Sequence, residues 1–169
     1  NELCSIIGPV GCGKTSLLLT LLEELQIKSG DLKIDGSVFY VPQEPWIFTG
    51  TIRQNIIFGK PYDEVKFRKI IKVCCLEPDL KNFDEQDRTI VGEKGINLSG
   101  GQRARINLAR ALYSDAQIYL FDDPLSAVDV NVAKEIYDKC INKYLKNKIR
   151  ILVTHHIHFL TNANQIIYL

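Results

Sequence analysis

Five short runs of the chain are almost continuously apolar: residues 3–7 (LCSII), 38–41 (VFYV), 118–121 (IYLF), 150–153 (RILV) and 165–169 (QIIYL). A strand with one wet face alternates polar and apolar residues, so runs without alternation predict strands covered on both sides, as in a parallel sheet. Helical spacing fills several of the gaps. Residues 14–25 (KTSLLLTLLEEL) are apolar nearly all round, which predicts a helix buried against the sheet. Residues 130–145 carry Val132, Ile136, Cys140 and Ile141 on one side, and residues 62–76 form a third, amphipathic helix. The polar run at 77–97 (EPDLKNFDEQDRTIVGEKGIN) has neither period, so residues 45–98 read as an insertion of different character. The expected class is α/β, with a parallel sheet flanked by helices.

Composition narrows the field without changing that picture. With 169 residues, 46% of them hydrophobic and 24% charged, the chain has material for one substantial core. The formal net charge is +1 and lysines and arginines do not cluster, so the electrostatic footprint of a nucleic-acid binder is absent and no nucleic-acid partner is expected. Five cysteines, Cys4, Cys12, Cys74, Cys75 and Cys140, form no Cys-x-x-Cys pair and read as reduced thiols. No apolar run reaches the roughly 18 residues of a membrane span, and NELCSIIGP lacks the charged head and cleavage site of a signal peptide. A soluble segment is expected.

The first apolar run empties into GPVGCGKTS, which is Gly8, Pro9, Val10, Gly11, Cys12, Gly13, Lys14, Thr15 and Ser16. This fits G-x-x-x-x-G-K-[ST] in the required setting, a strand before and a long helix after. Glycines there let successive N–H groups point at phosphate oxygens, and the helix start adds its positive dipole end. Lys14 is then the cation for the β- and γ-phosphates, and the Thr15 hydroxyl a ligand for Mg²⁺. A glycine-rich turn with a merely solvated lysine is the plain alternative, and the flanking strand and helix argue against it.

The run at 118–121 ends on Asp122 and Asp123, two like charges at the rim of a core, which is costly unless a cation compensates them. Alone, the pair would read as a turn signal before Pro124. Beside a phosphate loop, Asp122 becomes the carboxylate that holds Mg²⁺ from a second strand. Asp123 is placed to accept a proton from an attacking water. It is one methylene shorter than glutamate, and a misplacement of about 1 Å at a reacting centre can cost about a hundredfold in rate.

A further helix start lies in residues 98–112, LSGGQRARINLARAL: Ser99 with Gln102 forms a capping box, and Gly100 and Gly101 leave the first N–H groups bare for an anion. Taken alone, an ordinary helix cap explains it equally well. The stretch resembles the signature of the ATP-binding cassette (ABC) ATPases, and further motifs of that family follow in order. Gln43 in YVPQEPWIF resembles the Q-loop glutamine, residues 126–129 (SAVD) the D-loop, and His155 in ILVTHH the switch histidine. Ser126 with Asp129 is also an ordinary capping box. His156 and His158 match no motif and read as surface or packing residues. The resemblance covers essentially the whole chain and is narrowest to the first nucleotide-binding domain of C-subfamily transporters, the multidrug-resistance-associated proteins.

That resemblance implies a P-loop NTPase (RecA-like) core from residues 1–44 and 114–169, an inserted α-helical subdomain with the signature helix at about 45–113, and an N-terminal antiparallel β subdomain, with its adenine-stacking aromatic, largely outside the chain. It implies ATP and Mg²⁺ as cofactors, Thr15, Gln43 and Asp122 as the metal's ligands, and Asp123, Gln43 and His155 as catalytic residues. Two such domains sandwich two ATP molecules head to tail, so Ser99, Gly100, Gly101 and Gln102 complete the partner's site. The partner is a second nucleotide-binding domain in the same polypeptide, with transmembrane domains of an exporter, and the place is the cytoplasmic face of a membrane. The family normally has glutamate where Asp123 stands, so this site is expected to be weakly hydrolytic. Trp46, Ile47, Phe48 and Phe58 form either a small apolar core of the insertion or a docking surface for the membrane domains. A nucleotide-gated regulatory module with little turnover is the competing expectation. A soluble ABC ATPase of DNA repair is disfavoured by the short span from Lys14 to Leu98, which has no room for a long coiled coil.

Overall fold

The computed structural model describes residues 2–93 and 96–169 and gathers the five apolar runs into one sheet. The chain opens with the strand β1 (Leu3–Ile7), the helix α1 (Lys14–Leu21) and β2 (Val38–Val41). Short elements follow: β3 (Gly50–Thr51), α2 (Ile52–Ile57), α3 (Glu64–Val73), α4 (Glu77–Lys81), a 3-10 turn at Gln86–Arg88 and β4 (Ile90–Val91). The long helix α5 (Gly100–Ser114) leads back to β5 (Ile118–Asp122). Then come α6 (Val130–Ile136) with a π-helical continuation at Tyr137–Tyr144, β6 (Ile149–Val153) and β7 (Gln165–Tyr168). The long strands pair in parallel in the order β2-β5-β6-β1-β7, while β3 and β4 form a separate antiparallel pair.

Every residue of β5 is buried, as its unbroken apolar run requires. Successive side chains point to opposite faces of a sheet. Ile118 and Leu120 therefore join Ile6, Leu18 and Val153 on the α1 side, whereas Tyr119 and Phe121 pack on the other side with residues of α5 and α6. Each fully buried large apolar side chain of this kind contributes about 1.5–3 kcal/mol. The second cluster runs without a break from Phe121 through α5 to Ile52, Ile56, Phe67 and Ile70, so the helices of the insertion share a core with the sheet. The helix α5 makes this possible because every residue from Ile106 to Tyr113 is buried, on all its faces.

Several expectations are corrected. The helix at 14–25 ends at Leu21, where the Leu22 N–H is shared between the carbonyls of Leu18 and Leu19 and Glu23 turns to φ 61°. Only Lys14 and Leu18 of α1 are buried, so leucines on every face do not mean burial on every face. The helix at 62–76 spans Glu64–Val73, started by the Asp63 carboxylate accepting from the Lys66 N–H at 2.9 Å. No helix starts at Ser126, and its capping box with Asp129 does not form. Instead the Ser126 hydroxyl donates to the Asp123 carbonyl at 3.0 Å, and Asp129 itself caps α6. The aperiodic run at 77–97 contains α4 and β4, too short to show a period; Lys94 and Gly95 lie outside the described residues.

One buried charge ties the insertion together. Arg110 of α5 is 6% exposed, and burial lowers its pKa to about 10. Carbonyl oxygens take the place of a carboxylate: Nε donates to Asn55 O at 2.7 Å, Nη1 to Trp46 O at 3.0 Å, and Nη2 to Asn55 Oδ1 at 3.1 Å. The guanidinium lies 5.3 Å from the Trp46 ring centroid and 5.2 Å from that of Phe58. Arg110→Met keeps the volume but strands these acceptors, so a loss of about 2–3 kcal/mol is expected. Denaturant unfolding followed by the emission of Trp46, the single tryptophan of the chain, measures it.

Candidate functional site

The loop leaving β1 is shaped by its glycines and its own lysine. Gly11 and Gly13 have φ of 84° and 100°, left-handed values that cost a side-chain-bearing residue about 1–2 kcal/mol even though nothing stands within 4 Å of a Cβ at either position. Their missing side chains leave the inside of the loop open. Lys14, 7% exposed, donates from Nζ to the carbonyls of Gly8 and Pro9, both at 2.8 Å, and lies 3.7 Å from Cys12 Sγ. The ammonium thus organises the loop that a phosphate would enter.

From the first turn of α1, Thr15 Oγ1 donates to Asp122 Oδ2 at 2.8 Å. The Tyr40 hydroxyl, at the end of β2, donates to the same oxygen at 3.0 Å. Burial first, and then the charge and hydrogen bond of Asp122, push the Tyr40 hydroxyl up to about 12. Asp122 is only 4% exposed, and these two hydroxyls stand where a buried carboxylate needs donors. The next residue, Asp123, has φ 44°, and its N–H donates to the Val153 carbonyl at 3.0 Å. Aspartate is among the few non-glycine residues that visit this region. Burial raises the Asp123 pKa above the ordinary carboxylate value, opposed by His155 and His156.

These groups line one cleft of about 280 Å³, formed by Val10, Gly11, Gly13, Lys14, Thr15, Ser16, Gln43, Asp122, Asp123, Val153 and His155. Gly8, Pro9 and Cys12 of the loop do not line it, and a Cβ on Gly8 would fall 2.5 Å from the Leu169 carbonyl. The side chains of Gln43 and His155 lie at the exposed rim, whereas His156 and His158 pack around Phe159 with ring centroids 5.1 and 4.3 Å away. Residues 99–102 do not line this cleft. They open α5 elsewhere through the expected capping box, with Gln102 N donating to Ser99 Oγ at 3.2 Å and Ser99 N donating to Gln102 Oε1 at 2.9 Å. A Cβ on Gly101 would come within 3.2 Å of the Ala127 carbonyl, so a glycine lets this helix start press on the loop after β5.

A divalent metal finds hard oxygens here. The Thr15 hydroxyl, the Asp122 carboxylate and the Gln43 amide share the cleft, while no group of three His, Cys, Asp or Glu gathers among the described residues. Few protein oxygens and an open cleft suit Mg²⁺, which keeps several waters and takes its remaining ligands from phosphates. Sequence reasoning missed Tyr40, although a tyrosine three residues before Gln43 in an apolar strand was a visible signal. It also missed Arg110, whose partners lie 55 and 64 residues away. Trp46 and Phe58 are 55% and 54% exposed, with ring centroids 6.0 Å apart. They are a surface patch, and Ile47 packs against the core beneath.

A parallel sheet with a glycine loop at the exit of one strand and a buried aspartate at the end of another defines a P-loop nucleotide-binding domain. The ABC transporter family model matches residues 1–126, and the chain belongs to that family, whose domains bind and hydrolyse ATP. The chain is 50% identical over 169 residues to ATP-binding cassette sub-family C member 4 of Homo sapiens, covering all of this chain and 13% of that protein. Sub-family C member 2 of Mus musculus is 51% identical over 171 residues, covering 100% of the chain and 11% of the relative. A probable multidrug resistance-associated protein of Drosophila melanogaster is 48% identical, with 100% and 12% covered. The chain thus spans only about an eighth of the length of these relatives. No helix among the described residues is long and apolar enough to cross a membrane.

The two hydroxyls on Asp122 yield a direct test of the geometry. A double-mutant cycle on Tyr40→Phe and Asp122→Asn, measured by denaturant unfolding at pH 7, is expected to return a coupling of about 1.5–3 kcal/mol, the range for a hydrogen bond to a charged group. Additive effects would show that Tyr40 does not hold Asp122.

Proposed function

We propose that this chain is the ATP-binding domain of a multidrug-resistance-associated-type membrane exporter, that it binds Mg·ATP, and that it pairs head to tail with a second nucleotide-binding domain to drive substrate efflux. The observation that carries the reading is the convergence of Lys14, Thr15, Gln43, Asp122, Asp123 and His155 on one cleft from four separate chain segments. Loop N–H groups and Lys14 bind the phosphates, with Gly8, Pro9, Val10, Cys12 and Ser16 completing the loop. Thr15, Gln43 and Asp122 hold Mg²⁺, which screens the charge of the triphosphate when bound. Asp123 accepts a proton from the attacking water, helped by the burial that raises its pKa. His155, at the rim, stabilises the terminal phosphate. Ser99, Gly100, Gly101 and Gln102, which do not line this cleft, serve the partner's nucleotide.

The division of the chain into a core of residues 1–44 and 114–169 and a helical subdomain at about 45–113 belongs to the same proposal. So do the partners: a second nucleotide-binding domain in the same polypeptide, and transmembrane domains that dock on the exposed Trp46 and Phe58, at the cytoplasmic face of a membrane. A half-exposed aromatic pair over a buried guanidinium is a costly surface for water alone and supports docking.

Asp123 supports a second reading, a nucleotide-gated regulatory module with little turnover, because the shorter carboxylate reaches less far. In the full-length protein, Lys14→Ala is expected to remove one of the two Mg·ATP equivalents taken up by calorimetry. Asp123→Glu is expected to raise single-turnover hydrolysis by about tenfold or more, at a stability cost of about 1 kcal/mol for glutamate in a left-handed conformation. Unchanged hydrolysis would favour the regulatory module, and a Mg·ATP stoichiometry unchanged by Lys14→Ala would sink both.

A further inference from the structure

The capping box that opens α5 is closed from outside. Gln102 uses both ends of its side-chain amide: Oε1 accepts from the Ser99 N–H at 2.9 Å, and Nε2 donates to Asp79 Oδ1 at 3.1 Å. A donor on one side and a carboxylate on the other admit only this orientation of the amide. The second oxygen of Asp79 accepts from Arg105 Nη2 at 2.7 Å, and the two side chains are only 16% and 13% exposed. Such a shielded, charge-assisted pair is held far more firmly than a surface ion pair. Arg105 Nε is buried without a hydrogen-bond partner among the described residues, so Asp79 is what anchors this guanidinium. On the other side of the helix start, Arg105 Nη1 lies 3.5 Å from where a Cβ on Gly101 would stand.

We propose that Asp79 is a positioning residue for residues 99–102: it fixes the Gln102 amide, and through it the angle at which Ser99 and the first N–H groups of α5 are presented. The inference rests on the reading that this segment completes a partner domain's nucleotide site. Gln102 then works through Ser99, since the two bonds fix where its amide stands and which way it faces. Asp79 itself comes from α4, a helix of five residues that puts the carboxylate beside the start of a helix more than twenty residues later in the chain.

The test uses the full-length protein carrying Asp79→Asn or Asp79→Glu. Asparagine keeps the size but replaces one acceptor by a donor facing Arg105 or Gln102; glutamate keeps the charge and both acceptors. Asp79→Asn is expected to lower kcat for ATP hydrolysis about tenfold, with Mg·ATP affinity at the Lys14 cleft unchanged within about twofold, and Asp79→Glu to recover part of the loss. Amide hydrogen exchange read by mass spectrometry is expected to speed up about tenfold over residues 99–105 alone. Unchanged kcat and exchange in Asp79→Asn would overturn the proposal, as would faster exchange spread along the chain together with lost nucleotide affinity, the mark of a merely structural residue. Should the unaltered protein bind Mg·ATP without turning it over, the proposed exporter function fails, and the local exchange result still decides whether Asp79 positions the helix start.

Discussion

The mouth of the cleft depends on one hydrogen bond that crosses a strand, from the Thr15 hydroxyl to Asp122 Oδ2 at 2.8 Å. In the order β2-β5-β6-β1-β7, β6 separates the strand that delivers the loop from the strand that delivers the carboxylate. Parallel pairing brings the carboxyl ends of all three strands to one edge, so the loop after β1, the aspartates ending β5 and the histidine after β6 meet there. A one-residue slip of β5 would turn Asp122 toward a core face and point Phe121 at the cleft. That slip is opposed by the exchange of the aliphatic Ile118 and Leu120 with the larger Tyr119 and Phe121, and by the loss of the Thr15 and Tyr40 hydroxyls from Asp122.

Two carboxylates in succession are tolerable because they are treated differently. Asp122 is neutralised in part by hydroxyls from Thr15 and Tyr40 and stays at the strand's end. Asp123 is turned away by its φ of 44°, which lets its backbone bond to Val153 and places its side chain near His155 and His156. A strained backbone angle at the point where the chain leaves the central strand is the structural means of separating two like charges that sequence puts side by side.

Strands β1 and β5 were legible because burial on both faces writes itself as an unbroken apolar run, and the glycine loop because strand, loop and helix appear in sequence order; β7 corrects the expectation of coverage, since all four of its residues are exposed at the sheet edge beside β1. The paired capping residues of Ser99 and Gln102 were legible for the same local reason, being three residues apart. What could not be read is what depends on distant partners or on elements below a period's length. Strand order is one such case. Tyr40 and Asp122 are 82 residues apart, and Asp79 meets Gln102 only after α4, with five residues, has formed. The overlong reading of the first helix failed differently: leucine carries the helical pattern past Leu21, but the pattern contains nothing that announces Glu23 turning left-handed.

Two arginines on α5 show how a single helix joins the site to the insertion. Arg105 faces α4, where a carboxylate is at hand, and forms a shielded ion pair; Arg110 faces a turn of backbone, and carbonyls of Trp46 and Asn55 take the carboxylate's place. A lysine in either place would lose the planar fork that reaches several acceptors at once. Ahead of both clamps Gly101 rests on Ala127, so α5 is held at its start by α4 and the loop after β5, and near its end by the segment that follows Gln43. From Ser99 to Arg110 the helix runs roughly 16 Å at 1.5 Å per residue. A shift of the backbone around Trp46 would therefore break its hydrogen bond to Arg110 unless Arg110 followed, and the bonds to Asn55 and the burial of every residue from Ile106 to Tyr113 oppose that movement.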